Sequence, residues 1–256
     1  MRRLAALLSL GVVMAACGPG GLFRAYEYEE ELYLSLDGSA TVYVNGSVAA
    51  LDTLRGASFD TNPRVQIDSA EIARFFSTPV TRVTSVKTSR RHGRQFVHVQ
   101  LEVDDVRALG RAEPFSWSSY TFRRDGNLFV FGQAVGGSVA KDIGAVGWTG
   151  SERVAFRLHL PSKIEYHNTE ADNLRRGNIL VWEQSLADRR RGKPLTLDAR
   201  MQTESILYRT LWLFGATFAA VVLMFAVLIW WVLRRGVHRP SETGALNGAS
   251  TATGGR

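Results

Sequence analysis

Apolar and polar residues alternate where the folded part of the chain is predicted to begin. From Tyr26 to Leu36 most apolar side chains fall on one side, and Glu27, Glu29, Glu31 and Ser35 on the other, which is typical of a half-buried strand. The run Glu29–Glu31 alternates across the sheet and is interpreted as an exposed strand face. Asp37-Gly38 supplies turn chemistry, and a second alternating segment follows from Ala40 to Val48. The pattern predicts that the domain opens with a β-hairpin.

The same alternation recurs up to Met201, interrupted only by short helical patterns. Turns at Arg90–Gly93 and Asp125-Gly126 predict two further hairpins. Helices are predicted from Val48 to Leu54, from Asp68 or Ser69 to Phe76, and after Asp104. Together these signals predict an α+β fold, a mostly antiparallel β-sheet with two or three short helices on one face. The predicted strands are 26–36, 40–48, 80–87, 95–103, 117–123, 128–131, 152–160, 178–186 and 195–201.

A membrane-spanning helix is predicted near the end of the chain. The segment Leu211–Leu233 contains no charged residue, and at about 1.5 Å per residue it covers a hydrocarbon core of roughly 30 Å. Tryptophans stand at both ends of this segment, where aromatic rings favour the level of the lipid headgroups. Arg234 and Arg235 follow at once, so the positive-inside rule places the C-terminus in the cytoplasm.

The first residues have the layout of a secretory signal, with a basic start and the apolar run Leu4–Met14. The run ends in Met14-Ala15-Ala16-Cys17-Gly18, which resembles a lipobox and predicts that Cys17 carries a lipid anchor. The alternative is an ordinary signal cut near Ala15 or Ala16, with Cys17 unmodified. Either version predicts export. We therefore expect a signal peptide (1–16), an extracytoplasmic β-rich domain (17–205), a transmembrane helix (206–235) and a disordered cytoplasmic tail (236–256), in a single-pass protein of the cytoplasmic (inner) membrane.

The charge balance points to anionic partners. The formal net charge is +7 and the pI is near 9.9, which suits nucleic acid or anionic lipid. Export favours membrane lipids and argues against nucleic acid. The single cysteine excludes an internal disulfide and a multi-cysteine zinc site.

Three basic clusters fall in predicted turns, and they are the candidate contacts for anionic lipid headgroups. The alternative is that these arginines are solvated side chains at loop tips and bind nothing. The last cluster precedes the strand that leads to the membrane, which makes it the best candidate. The clusters are Arg90, Arg91 and Arg94; Arg175 and Arg176; and Arg189, Arg190 and Arg191.

Patterns that carry catalysis or metal binding are missing from the sequence. The histidines lack metal-ligand spacing, no Gly-x-Ser-x-Gly elbow occurs, and the glycine-rich segment Gly132–Gly150 lacks the spacing of a phosphate loop. We therefore expect a protein that is not an enzyme and holds neither a metal nor a cofactor. Aromatic residues are dense between positions 115 and 131, where they fill the core or line an apolar pocket: Phe115, Trp117, Tyr120, Phe122, Phe129 and Phe131.

Three segments in the last 110 residues carry a family resemblance: Val154–Pro161, Gly177–Trp182, and Leu195–Met201 just before the apolar span. With the lipobox and the single late membrane helix, they resemble the mycobacterial LppM-like lipoprotein family. The resemblance implies a lipid-binding module in which a curved sheet and helices enclose an apolar cavity.

The leading hypothesis is therefore a membrane-anchored extracytoplasmic envelope protein, non-enzymatic, that binds or handles lipid. The alternative is an interaction or assembly module of an envelope complex. Such a module would act through a sheet edge on other envelope proteins, or form a homodimer through the small residues Gly215, Ala216, Ala219 and Ala220 of the membrane helix. It predicts an exposed edge or apolar patch and no enclosed cavity.

Overall fold

The structure is a computed structural model that describes residues 26–62, 64–170, 174–175 and 178–236. The chain divides into two compact units, the first ending at Ile206 and the second beginning at Leu207. The predicted signal peptide, the Cys17 anchor and the tail beyond Gly236 lie outside the described residues.

The elements follow one another in an order close to the predicted one. Two short 3-10 turns, Val106–Arg111 and Glu113–Phe115, stand between β4 and β5. The strands are β1 Tyr28–Leu34, β2 Ala40–Ser47, β3 Arg82–Arg91, β4 Arg94–Val103, β5 Ser118–Asp125, β6 Leu128–Val135, β7 Arg153–His159, β8 Ser162–His167, β9 Leu174–Arg175, β10 Ile179–Ser185 and β11 Leu195–Ser205. The helices are α1 Val48–Arg55, α2 Ser69–Phe76, α3 Leu186–Arg190 and α4 Ile206–Gly236.

The strands form two sheets. The larger has the order β3-β4-β2-β1-β7-β10-β9, and the smaller has the order β5-β6-β11-β8. Within the larger sheet β1 runs parallel to β7, while the other paired strands of both sheets are antiparallel. The predicted α+β class, dominated by antiparallel pairing, is confirmed. The division into two sheets and the strands β8 and β9 were not predicted.

Local chemistry explains where the elements turn and end. The β3–β4 hairpin turns at His92 and Gly93, which both have positive φ (50° and 71°), as a type I′ turn requires. The hydroxyl of Ser47 accepts a hydrogen bond from the Ala50 N–H at 3.0 Å and so caps α1. Asp68 caps α2 through the Ala70 N–H at 2.9 Å. The cap of α2 agrees with the predicted one, whereas for α1 only the start at Val48 was predicted and not the cap at Ser47.

The two sheets share one hydrophobic core. On the inner face of the larger sheet Leu32 lies between Val42 of β2 and Leu158 of β7, and all three are nearly inaccessible. Buried residues of the smaller sheet and of α1 and α2 belong to the same cluster. Trp117 packs between Tyr28 and Phe156 at ring-centroid distances of 5.7 and 5.8 Å. Aromatic side chains thus occupy the space between the sheets.

Helix α1 is buried along its whole length and contains Asp52, whose ionisation at neutral pH destabilises the folded state. Asp52 is 3% exposed, and its carboxylate accepts a hydrogen bond from the Phe59 N–H at 3.1 Å. Burial raises the pKa of this carboxyl from an ordinary 3.8 to about 6. Because the folded pKa is the higher one, the stability linked to Asp52 is fully present below about pH 3.8 and is lost as the pH rises through about 6.

We therefore expect Asp52→Asn to flatten the fall in stability between about pH 4 and pH 7 and to raise Tm at pH 7.5 by at least about 2 °C. The measurement is thermal unfolding of the full-length protein in lipid nanodiscs at several pH values. Asp104→Asn, at an exposed position, is the matched control and should follow the wild type. Parallel pH profiles for wild type and Asp52→Asn would show that Asp52 is not responsible.

Helix α4 has the length and composition of a single-pass membrane anchor. Its apolar part, Thr210–Arg235, has 26 residues, which at about 1.5 Å each exceed a hydrocarbon core of roughly 30 Å. Its large apolar side chains from Leu211 to Leu233 are exposed. The guanidinium of Arg235 lies 3.9 Å above the ring of Trp231, a pair suited to the membrane interface. The predicted homodimer through this helix stays a prediction.

Candidate functional site

A groove of about 670 Å³ runs beside β5, the edge strand of the smaller sheet. We call it the β5 groove. It is open to solvent, and it draws its lining from the first 3-10 turn, the start of β5, the end of β6 and the start of β11. Trp117, Tyr120 and Leu195 supply apolar surface, and Arg107 and Arg111 stand on its rim.

A close backbone approach forms one wall of the β5 groove. The first 3-10 turn packs directly on β5, and a Cβ at Gly110 would lie 2.5 Å from the Ser118 carbonyl oxygen. Only glycine therefore fits at position 110. The Asp105 carboxylate accepts a hydrogen bond from the Arg107 backbone N–H and from its guanidinium, all near 3 Å. These contacts hold Arg107 on the rim.

The floor of the groove is tied to a set of buried polar side chains, which we call the buried network: Glu30, Arg55, Tyr28, Tyr120 and Gln133. Glu30 is 2% exposed and forms an ion pair with Arg55, whose side chain is fully buried. The Tyr120 hydroxyl donates to Glu30 at 2.8 Å, and the Gln133 amide donates to it at 3.0 Å. The network thus connects β1, α1, β5 and β6, which fixes Tyr120 beneath the groove.

The tyrosines of the buried network stay protonated and act as donors. Burial, and after it the negative charge of Glu30, raises the pKa of Tyr120 well above 10. Burial also raises the pKa of Tyr28, although the charge of Arg55 opposes this. Glu30 was expected on an exposed strand face, and the structure buries it in a network that was not predicted. The period-two pattern places Glu30 on the same face as Tyr28 and Leu32, and that was the available signal.

The cluster Arg189–Arg191 is not an exposed turn, so that expectation was wrong for its first member. The segment Leu186–Arg190 forms helix α3, capped by Ser185, and this turns the Arg189 side chain inward to 0% exposure. Arg190 is half-buried, with its guanidinium 5.5 Å above the ring of Trp148. Arg191 is exposed and pairs with Asp188. Only Arg191 has the predicted position of a solvated basic side chain.

The cluster at the β3–β4 hairpin lies in the strand ends that flank the turn. Arg90 is exposed. Arg91 donates to the Tyr26 carbonyl at 2.6 Å and lies 4.0 Å above the ring of Phe96. Arg94 pairs with the buried carboxylate of Glu27 at 3.0 Å. Two of these three arginines therefore hold the fold together, because internal acceptors lie within their reach.

The third cluster is only partly described. Arg175 is the last residue of β9, a two-residue edge strand that pairs with β10. Arg176 lies outside the described residues. Contact of any of these arginines with lipid stays a prediction.

The glycine-rich segment borders two adjoining clefts of about 450 and 370 Å³, which share His92, Arg94 and Gly147. The Trp148 indole donates to Glu27 at 2.8 Å, and Arg94 donates to the Gly147 carbonyl at 3.0 Å. These bonds fasten the segment to the β3–β4 hairpin. The smaller cleft is lined by Glu27 and Glu152 as well as arginines, and the larger one contains Arg94 as its one arginine, so neither forms a basic surface.

The predicted aromatic cluster divides between core and groove. Phe115 and Phe131 are almost completely buried, and Phe122 stacks on Phe129 at a centroid distance of 5.1 Å. Trp117 and Tyr120 line the β5 groove and are 9% and 6% exposed. Core packing accounts for most of the cluster, and the groove uses the other two. None of the three clefts described in this section is an enclosed apolar cavity.

The outer face of the larger sheet carries a separate layer of half-buried polar side chains. His159 contacts the Glu31 carboxylate at 2.5 Å and stacks on Tyr33 at 3.8 Å. Burial alone would raise the pKa of Glu31, but the hydrogen bond and charge of His159, with the charge of Arg157, hold it below its ordinary value. The described residues contain no group of three or more His, Cys, Asp or Glu side chains that could hold a metal ion.

Comparison with known proteins finds one similar solved structure to report. It is the NMR structure of the folded domain of LppM from Mycobacterium tuberculosis, with 14% sequence identity and a TM-score of 0.37. The match covers 72% of this chain and 94% of the LppM domain. No protein-family model and no curated protein matches the chain. The description of the site therefore rests on its own geometry.

Proposed function

We propose that the β5 groove binds a single lipid molecule, and that the protein is a lipid-handling module held at the outer face of the cytoplasmic membrane. The observation that carries this proposal is an open groove with an aromatic floor and two arginines on its rim. A volume of about 670 Å³ lies within the range of small-molecule sites. Trp117, Tyr120 and Leu195 would contact acyl chain, while Arg107 and Arg111 would face the headgroup.

The residues that line the groove favour binding without catalysis. General acid–base or nucleophilic chemistry needs a positioned His, Asp, Glu, Cys or Lys, or a hydroxyl beside such a base. The described residues that line the β5 groove include none of these five types. Its polar groups are arginines, hydroxyls and backbone. We therefore propose a binding protein that is not an enzyme.

Two anchors support the proposed location. Helix α4 provides a single crossing, and Arg234 and Arg235 at its end favour a cytoplasmic C-terminus. The first unit would then lie outside. A lipid on Cys17 would add a second anchor, and two membrane signals together give stable attachment. Within the first unit, residues at the start of β11 line the groove. The end of β11 leads directly into α4.

Filling the groove should abolish lipid binding. We expect Ser119→Trp to weaken binding at least tenfold, because Ser119 is an exposed residue of the groove lining and an indole there would fill part of the groove. The measurement is fluorescence anisotropy of short-chain, NBD-labelled phosphatidylglycerol added to full-length protein in phosphatidylcholine nanodiscs. Partitioning of the probe into the disc is measured on empty discs and subtracted.

The matched control is Thr121→Trp, two residues further along β5 on the same exposed face but outside the groove lining. It should bind the probe within about twofold of the wild type. Binding no greater than that of empty discs would reject the proposal. So would equal loss of affinity in Ser119→Trp and Thr121→Trp, because the groove would then have no special role.

The position of β5 supports an assembly role as the second candidate. Among the described strands β5 pairs only with β6, and the first 3-10 turn packs on its start, so an extended peptide could add only to the part of the edge beyond that turn. A photoreactive amino acid at position 119, activated in native membranes, separates the two functions. Cross-links to protein would favour assembly, and cross-links to lipid would favour the lipid-handling role.

A further inference from the structure

A buried cation without an acidic partner lies beneath the β5 groove. Arg189 is 0% exposed, yet none of the described carboxylates pairs with its guanidinium. Its two terminal nitrogens donate to the Gln184 side-chain oxygen at 3.2 Å and to the Gly136 carbonyl at 2.6 Å. Its Nε has no hydrogen-bond partner. Apart from the ring of Trp117 at 5.6 Å, the described contacts of this charge are with neutral dipoles.

The surroundings make this arrangement unfavourable in the absence of an anion. The nearby buried carboxylate, Glu30, is already paired with Arg55. Burial, and after it the positive charge of Arg55, lowers the pKa of the Arg189 guanidinium. A buried charge normally needs a counter-ion with good hydrogen-bond geometry. Among the described residues, the two buried arginines Arg55 and Arg189 thus have only the Glu30 carboxylate nearby to balance their charges.

Only a thin layer of backbone separates Arg189 from the groove. The Gly136 carbonyl that accepts from Arg189 belongs to an exposed residue that lines the groove. Gly137 is also exposed, and no atom lies within 4 Å of the position its Cβ would take. Trp117, on the groove floor, lies 5.6 Å from the Arg189 guanidinium carbon. Displacement of the Gly136-Gly137 peptide would open the groove to this cation.

We propose that Arg189 binds the phosphate of an acidic phospholipid headgroup in the β5 groove, with the Gly136-Gly137 peptide moving aside. The inference rests on the proposed function and adds the class of lipid. Phosphate oxygens replace the Gly136 carbonyl and also satisfy Nε, and a guanidinium suits such bidentate contacts. Arg107 and Arg111 attract the headgroup from the rim but do not determine which lipid class the groove prefers.

The test compares two NBD-labelled probes with the same acyl chains, phosphatidylglycerol and phosphatidylcholine, on full-length protein in phosphatidylcholine nanodiscs. Both probes carry the phosphodiester, but phosphatidylcholine adds a choline cation, which the uncompensated charge of Arg189 repels. We therefore expect the wild type to prefer phosphatidylglycerol by at least about tenfold. Arg189→Met should reduce the preference to within about twofold while phosphatidylcholine still binds. Arg191→Met, which removes the exposed neighbouring charge, is the control and should keep the preference.

A second variant keeps the test decisive if Arg189→Met does not fold. Replacing the exposed rim residues, Arg107→Gln with Arg111→Gln, should weaken both probes but preserve most of the preference. Loss of the preference in this rim variant would overturn the inference, because the rim would then select the lipid. Competition by 10 mM inorganic phosphate as strong as that by phosphatidylglycerol would overturn it too, since the site would then bind the free anion.

Failure of the two proposals can be told apart. If neither probe binds above the empty-disc background, the lipid-handling function itself fails. If both probes bind equally well to the wild type, or Arg189→Met leaves the preference unchanged, the groove binds lipid but Arg189 does not distinguish the two headgroups. The second pattern rejects only the inference about Arg189.

Discussion

Replacing Glu30 by glutamine is expected to lower the free energy of unfolding by about 3–5 kcal/mol, one of the two largest effects of a single substitution that we foresee. The change keeps the shape of the side chain but removes the charge that compensates Arg55. The Arg55 side chain is fully buried, and its guanidinium also donates to the Pro114 carbonyl at 2.5 Å, so it cannot move to water without disrupting the core. Arg189 lies close enough to add to the unbalanced positive charge.

The measurement is denaturant unfolding of the full-length protein in nanodiscs, followed by tryptophan fluorescence. Glu102→Gln provides the matched control, because it removes one partner of the exposed Arg82–Glu102 pair. That loss should stay within about 1 kcal/mol. A Glu30→Gln variant as stable as Glu102→Gln would mean that the buried network contributes no more than a surface ion pair.

Replacing Phe156 by alanine is expected to lower the free energy of unfolding by about 3–5 kcal/mol as well, but through lost packing. Phe156 is 1% exposed, and its ring lies 6.4 Å from that of Tyr28 and 5.8 Å from that of Trp117. The cavity left behind would lie directly under Trp117. We therefore also expect weaker lipid binding, because the groove floor loses its support.

The same unfolding measurement applies, with Tyr166→Ala as the control. Tyr166 is 46% exposed on β8, so its loss should change the stability by less than about 1 kcal/mol. Equal effects of the two substitutions would contradict the assignment of Phe156 to the centre of the core. If Phe156→Ala had the stability and the lipid affinity of the wild type, Phe156 would not support the groove floor.

Much of the local structure could be predicted because it is encoded by neighbouring residues. Alternation defines the inner and outer faces of β1 and β2, and Asp37-Gly38 fits the turn between them. The helix caps at Ser47 and Asp68 follow from side-chain acceptors placed next to the first turn. The uncharged stretch of α4 could be recognised from its length and composition as a candidate membrane span.

The pairing of strands could not be predicted in the same way. Alternation tells which face a residue occupies, but it does not identify the neighbouring strand, so the parallel pair β1–β7 and the second sheet were missed. Strand β8 pairs with β11 through irregular register, and such a segment lacks a regular pattern. The short β9 has too few residues to show one.

The candidate site was predicted only in part, for a physical reason. Trp117 and Tyr120 were recognised as candidates for a pocket, but the groove depends on the close approach of Gly110 to Ser118, residues on different elements. Charged residues are usually exposed, which led to the wrong placement of Glu30 and Arg189. The helical turn that buries Arg189 begins at a serine cap, and this local signal was present at Ser185.

The most direct test of the lipid-handling role is to locate bound lipid by photo-cross-linking. Full-length protein in membranes that contain a diazirine-bearing phosphatidylglycerol is illuminated and digested, and the modified peptides are identified by mass spectrometry. Adducts on α4 serve as the internal control, because a membrane-spanning α4 contacts lipid in every variant. We predict additional adducts within residues 107–120, 134–136 or 194–196, and their loss in Ser119→Trp. Adducts confined to α4 in the wild type would contradict the proposed function.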